Sequence, residues 1–101
     1  SAMKDGVFLI NTARGAVIDE KALIAALESG KVQRAGLDVF VNEPSPNPYF
    51  LQSDKIVVQP HLGGLTEKAF QKAERECFEN IRAFFKTGKA NSPVNIKVQT
   101  P

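Results

Sequence analysis

The sequence predicts an α/β fold: a short open sheet of three parallel strands with helices between and after them. Three observations lead there. Short, largely apolar runs at residues 7–10, 35–40 and 56–58 have the length and character of strands buried on both faces, as parallel strands are. The stretch between the first two runs carries apolar residues at helical spacing, and a helix joining two strands makes a crossover that forces them parallel. A chain of 101 residues suffices for one small domain, burying roughly 60 to 70% of the surface its unfolded form exposes.

Val7-Phe8-Leu9-Ile10, bounded by Gly6 and Asn11, is the first strand. Asp19 then reads as an N-cap, with Ile18 and Leu23 as a hydrophobic staple. Leu23, Ala26 and Leu27 make one apolar face that Gly30 ends, so a helix is expected over about 20–29. Ala35-Gly36-Leu37-Asp38-Val39-Phe40 is the second strand. Residues 42–55 are rich in Pro, Asn and Ser. Pro44, Pro46 and Pro48 exclude a long helix there, while Tyr49-Phe50-Leu51 can form one turn that packs down. Ile56-Val57-Val58 is the third strand, closed by Pro60, which cannot donate to a ladder.

Thr66 caps the longest helix, with Leu65 and Phe70 as staple. Phe70, Ala73, Cys77, Ile81, Phe84 and Phe85 keep helical spacing up to Gly88, so one face is expected to be buried and Cys77 to lie in the core. An extended tail follows over about 90–101. No internal repeat, low-complexity tract or second domain is visible.

The formal net charge of +2 is spread along the chain without a basic run, which argues against nucleic acid and against a membrane surface as partners. No apolar run approaches the roughly 18 to 20 residues of a membrane span. The single cysteine leaves no disulfide framework and no thiolate cluster for a metal; this is compatible with a reducing interior, and the cytoplasm is the expected location.

Three phrases fall at the three strand ends: Asn11-Thr12-Ala13-Arg14-Gly15, then Asp38 to Pro44, then Pro60-His61-Leu62-Gly63-Gly64. Ligands of open parallel sheets bind beyond the carboxyl ends of the strands, where all three phrases lie. Arg14 has the planar charged fork that pairs with a carboxylate, although a surface turn would also accept it. A carboxylate beside an imidazole fixes its ring and favours its protonated form, so His61 with Glu43 can give and take a proton; a hydrogen-bonded structural histidine is the plainer alternative. Asp38 sits between Leu37 and Val39, where an unpaired carboxylate is costly. It serves either a neighbouring backbone or an amide of a cofactor. Gly63 and Gly64 are either a plain turn or a place where a flat ring approaches the backbone.

These motifs, with Met3-Lys4-Asp5-Gly6 ahead of them and Thr66 behind, resemble the later part of the nucleotide-binding domain of the D-isomer-specific 2-hydroxyacid dehydrogenases, the group of glyoxylate and hydroxypyruvate reductases and phosphoglycerate dehydrogenase. The resemblance implies a partial Rossmann-type fold, a truncated doubly wound sheet. It implies NAD or NADP as cofactor and a small 2-keto acid as substrate. In such a site Arg14 holds the substrate carboxylate and polarises the keto oxygen, His61 exchanges the proton on that oxygen, Glu43 orients His61, and Asp38 holds the nicotinamide amide. Thr12, Ala13, Arg14, His61, Gly63 and Gly64 are the further cofactor contacts. Relatives more often carry Ser where Gly64 stands, and formate dehydrogenases tend to have Gln at the place of Glu43.

The family's G-x-G-x-x-G phosphate loop belongs to the preceding half of the domain and does not occur here. Residues 1–101 are therefore expected to be the C-terminal half of a nucleotide-binding domain, inactive by themselves. An uncovered edge at the first strand is expected to favour self-association, and the intact enzyme is expected to be a homo-oligomer. The alternative from another class is a binding or regulatory protein that keeps the dehydrogenase fold, as transcriptional corepressors of the superfamily do.

Overall fold

The computed structural model describes residues 2–94. Its elements run β1 (Val7–Asn11), α1 (Glu20–Glu28), β2 (Val32–Leu37), α2 (Pro48–Gln52), β3 (Ile56–Val58) and α3 (Glu67–Thr87), with a single 3-10 turn at Gly15–Val17. The chain divides into two compact units, Ser1–Gly63 and Gly64–Pro101.

The first unit is the parallel sheet, in the order β1-β2-β3, with its two helices. β1 pairs with β2 up to Asn11↔Leu37, and β2 with β3 up to Leu37↔Val58, so all three strands stop at one edge. Two bonds carry the ladder just past it: the Asp38 N–H donates to the Asn11 carbonyl at 3.1 Å and the Gln59 N–H to the Leu37 carbonyl at 2.9 Å. The Asp19 carboxylate caps α1 by accepting from the Ala22 N–H at 3.1 Å.

The core lies on one face of the sheet. Leu23 and Leu27 of α1 pack with Val32, Ala35 and Leu37 of β2, and with Phe40 and Phe50. Phe50 is 1% exposed, its ring centroid 6.1 Å from that of Phe40. Burying such a side chain is worth roughly 1.5–3 kcal/mol. That burial ties the proline-rich crossover, which has no ladder of its own, down onto the sheet.

Three expectations are corrected. β2 begins and ends three residues earlier than the apolar run suggests. Gln33 and Arg34 are exposed strand residues, and the chain leaves the sheet at Asp38, which therefore stands beyond the strand rather than within it. The sheet is covered on one face only within the first unit: Phe8, Ile10 and Val57 are 71%, 75% and 70% exposed.

The third correction concerns α3. Its ends are as expected, with the Thr66 hydroxyl accepting from the Ala69 N–H at 3.1 Å and Gly88 in the left-handed C-cap. Yet no residue of α3 is buried, and Cys77, Phe70, Ile81 and Phe84 are exposed. Helical spacing reveals an apolar stripe, not what covers it.

Beyond α3, the Ser92 N–H donates to Asn80 Oδ1 at 2.7 Å, and residues 95–101 of the expected tail lie outside the described residues. No helix among the described residues is long and apolar enough to cross a membrane, and none of their His, Cys, Asp and Glu side chains group to hold a metal ion.

Candidate active site

The first loop at the sheet edge is shaped by Asn11, the buried last residue of β1. Its Oδ1 accepts from the Ala13 N–H at 3.1 Å and its Nδ2 donates to the Arg14 carbonyl at 3.0 Å, closing a turn over Thr12 and Ala13. Arg14 emerges from this turn with Nη1 donating to the Ala13 carbonyl at 2.6 Å. Gly15 comes next, and a Cβ there would lie 2.0 Å from the Phe40 carbonyl carbon and 2.3 Å from the Val41 nitrogen. The bare backbone of Gly15 is thus needed for contact with the second loop.

The second loop is held from both sides. The Val41 N–H donates to Glu20 Oε2 at 3.1 Å, and the Phe40 N–H to Glu43 Oε1 at 3.1 Å, ahead of a cis Glu43-Pro44 bond. With one oxygen fixed to its own loop, Glu43 turns the other to the third: Oε2 lies 2.7 Å from His61 Nδ1. His61 has φ +56°, in the left-handed region that few side-chain-bearing residues adopt. Beside it the buried Asp38 carboxylate accepts from the Leu62 N–H at 2.8 Å through Oδ1 and from the Gly63 N–H at 2.7 Å through Oδ2.

These contacts set the charges. The His61 hydrogen bond, then the Phe40 N–H and, more weakly, the positive charge of Arg14, hold the Glu43 carboxyl below its ordinary value. The Leu62 N–H foremost, with that of Gly63, does the same for Asp38 against the opposing effect of burial. An ionised carboxylate only accepts, so the short bond to Glu43 requires the proton on His61 Nδ1. Nε2 is then the atom left to exchange a proton with a ligand.

Both depressed carboxyls contribute stability that is present above their unfolded values and lost as pH falls through their folded ones. Unfolding followed from neutral to acid pH is therefore expected to show stability holding down to the ordinary carboxylate range and eroding below it. A stability flat across that range would contradict the two clusters.

Two hollows adjoin the loops. One, of about 270 Å³, has Glu43 and His61 in its wall with Phe40, Pro44, Leu51 and Val58. The other, of about 390 Å³, runs along the uncovered sheet face and reaches Thr12, Asp38 and Gln59 at the carboxyl edge. Small Ala13, the exposed Thr12 hydroxyl and the Asp38 carboxylate fit the reacting end of a nicotinamide at that edge, whereas the sequence offers no glycine-rich loop for its phosphates. Gly64 begins the second unit, with φ +85°.

Of the residues singled out in the sequence, the structure brings Glu43 and His61 into direct contact and sets Arg14 close enough for its charge to act on Glu43. Asn11 and Glu20 were not among them, and both organise the loops. Asn11 was legible as a turn-forming residue at a strand end; nothing local marked Glu20.

Residues 1–63 match the family model described as D-isomer specific 2-hydroxyacid dehydrogenase, NAD binding domain. The chain belongs to this family. Its α/β fold with an open parallel sheet is of Rossmann type. It is 73% identical over 93 residues to Dehydrogenase efuE of Hormonema carpetanum, covering 92% of this chain and 23% of that protein. Among solved structures, a glyoxylate reductase from Paecilomyes thermophila superposes with a TM-score of 0.77 at 45% identity, over 92% of this chain and 28% of that one. An NADPH-dependent glyoxylate/hydroxypyruvate reductase from Sinorhizobium meliloti, in complex with NADP and malonate, gives 0.74 at 35% identity, over 91% of this chain and 29% of that one. The chain thus spans about a quarter of the length of these relatives.

Proposed function

We propose that residues 1–101 form the C-terminal half of the nucleotide-binding domain of an enzyme that interconverts a small 2-keto acid and its D-2-hydroxy acid with NADH or NADPH. The observation that carries this reading is the 2.7 Å Glu43–His61 pair, set at the carboxyl edge of a parallel sheet where the charge of Arg14 acts weakly on Glu43. When bound, the nicotinamide supplies or receives the hydride. The remaining chemistry belongs to side chains of this chain.

Arg14 pairs with the substrate carboxylate and draws electron density from the keto oxygen; its fork supplies donors beyond the one given to Ala13. His61 Nε2 gives its proton to that oxygen in reduction and takes it back in oxidation. Glu43 fixes the tautomer and the plane of the ring, and its negative charge stabilises the imidazolium. Thr12, Ala13, Arg14, Asp38, His61 and Gly63 face the reacting end of the cofactor. Gly64 joins them by its place in the Pro60 to Gly64 motif.

The test is steady-state kinetics of the full-length protein with a panel of 2-keto acids and both nicotinamides, beside the 101-residue chain. The full-length protein is expected to turn over and the isolated chain is expected not to, since positioning both reactants supplies much of the rate. In the same assay Arg14→Ala is expected to raise KM for the keto acid on the order of 10²-fold, equivalent to losing about 2.7 kcal/mol of charge-assisted binding. Turnover of no 2-keto acid by the full-length protein, or unchanged kinetics in the variant, would sink the assignment.

A further inference from the structure

Asp38 lies outside the Glu43–His61 pair, yet its environment is more constrained than that of either. It is 4% exposed, just past the end of β2, with its own N–H bonded to the Asn11 carbonyl at 3.1 Å. Its two carboxylate oxygens divide between the consecutive N–H groups of Leu62 and Gly63, at 2.8 and 2.7 Å. A Cβ on Gly63 would lie 2.8 Å from Oδ2, so the carboxylate is seated against the turn with no room for a side chain between them.

The residue immediately before those two N–H groups is His61, at φ +56°. A left-handed backbone is strained for a residue with a Cβ, so something must hold it there. Two charge-assisted bonds to adjacent amides are suited to that task, because they fix the turn and its direction together. The Glu43 contact orients the ring, but it reaches only the end of a rotatable side chain. Asp38 reaches the backbone from which that side chain springs.

We infer that Asp38 is a positioning residue for His61: its carboxylate clamps the Leu62–Gly63 turn and so sets where the imidazole stands against the substrate oxygen. The inference rests on the proposed reductase reading for its kinetic consequence, though not for the clamp itself. It differs from the cofactor-amide role implied by resemblance, because it places the effect of Asp38 on the proton-transfer step rather than on cofactor affinity. An asparagine at 38 would keep the shape but present an NH2 to one of the two amides, donor against donor.

Two variants of the full-length enzyme test this, read at saturating cofactor and by fluorescence titration of NADH and NADPH. Asp38→Asn is expected to lower kcat on the order of 10²-fold, a loss that saturating cofactor does not restore whatever the change in cofactor Kd. Gly63→Ala, which keeps the carboxylate and disturbs the clamp from the other side, is expected to show the same unrestored loss. Weakened cofactor binding with kcat restored at saturation would overturn the inference in favour of the amide role.

An arm independent of activity uses the unmodified 101-residue chain. In proton–nitrogen spectra on acidification, the Leu62 and Gly63 amide protons are expected to move together with the titration of Asp38, and amides that ignore it would refute the clamp. An inactive full-length protein whose two amides still follow Asp38 would refute the proposed reductase and uphold the clamp.

Discussion

On the proposed function, replacing His61 by alanine in the full-length protein is expected to lower kcat on the order of 10²- to 10⁴-fold, with a much smaller change in KM for the keto acid. The reason is the division of labour between the two ring nitrogens. Nδ1 is committed to Glu43 at 2.7 Å, which leaves Nε2 as the proton donor and acceptor, and alanine removes both. Since His61 also occupies a left-handed backbone position, a companion His61→Asn variant separates chemistry from conformation. Asparagine tolerates that backbone but has no titrating nitrogen, so it is expected to be as inactive as alanine while losing less stability than alanine does. Retained turnover in either variant would remove the histidine from the mechanism.

Gly15→Ala is expected to destabilise the first unit by about 3 kcal/mol or more, the upper end of what overpacking does. The added methyl would stand 2.0, 2.2 and 2.3 Å from three consecutive backbone atoms of Phe40 and Val41. Backbone cannot rotate aside as a flexible side chain can. The second loop is also pinned beneath by Phe40 in the core and from the side by Glu20, so relief has to come from moving the loop as a whole. For a domain of this size each kcal/mol corresponds to roughly 4–8 °C in melting temperature. Thermal and urea unfolding would read the loss directly, and a change below about 1 kcal/mol would show that the two loops are not in the contact described. On the proposed function, the same substitution in the full-length protein is expected to raise KM for the keto acid, because Arg14 is adjacent to the displaced residue.

Of these two positions, His61 alone was within reach of the sequence. His61 was legible because a lone histidine beside a strand-closing proline, with a carboxylate and an arginine at neighbouring strand ends, is a chemical pattern. The sheet was legible because apolar runs and capping residues are local signals, as Asp19 and Thr66 illustrate. What escaped was tertiary. The polar start of β2 at Gln33 and Arg34 has no apolar signature, and its end at Leu37 is set by the ladder rather than by composition. The steric need for Gly15 depends on a backbone 25 residues away, and the exposure of Cys77 depends on what α3 lies against. Glu20, an ordinary first-turn acid by sequence, holds the second loop through a contact that only the fold creates.

Arg14, Glu43 and His61 all fall within the first compact unit, Ser1–Gly63, together with Asn11, Gly15, Asp38 and Gly63, the residues that shape their loops. On the proposed reading, the proton exchange and the carboxylate grip are carried by one contiguous stretch of sequence. Recombination between relatives could exchange that stretch as a block, carrying the reaction across intact while the phosphate loop and the substrate-binding half stay with the recipient. Divergence of substrate and cofactor preference around a constant chemistry is the form of evolution such an arrangement favours.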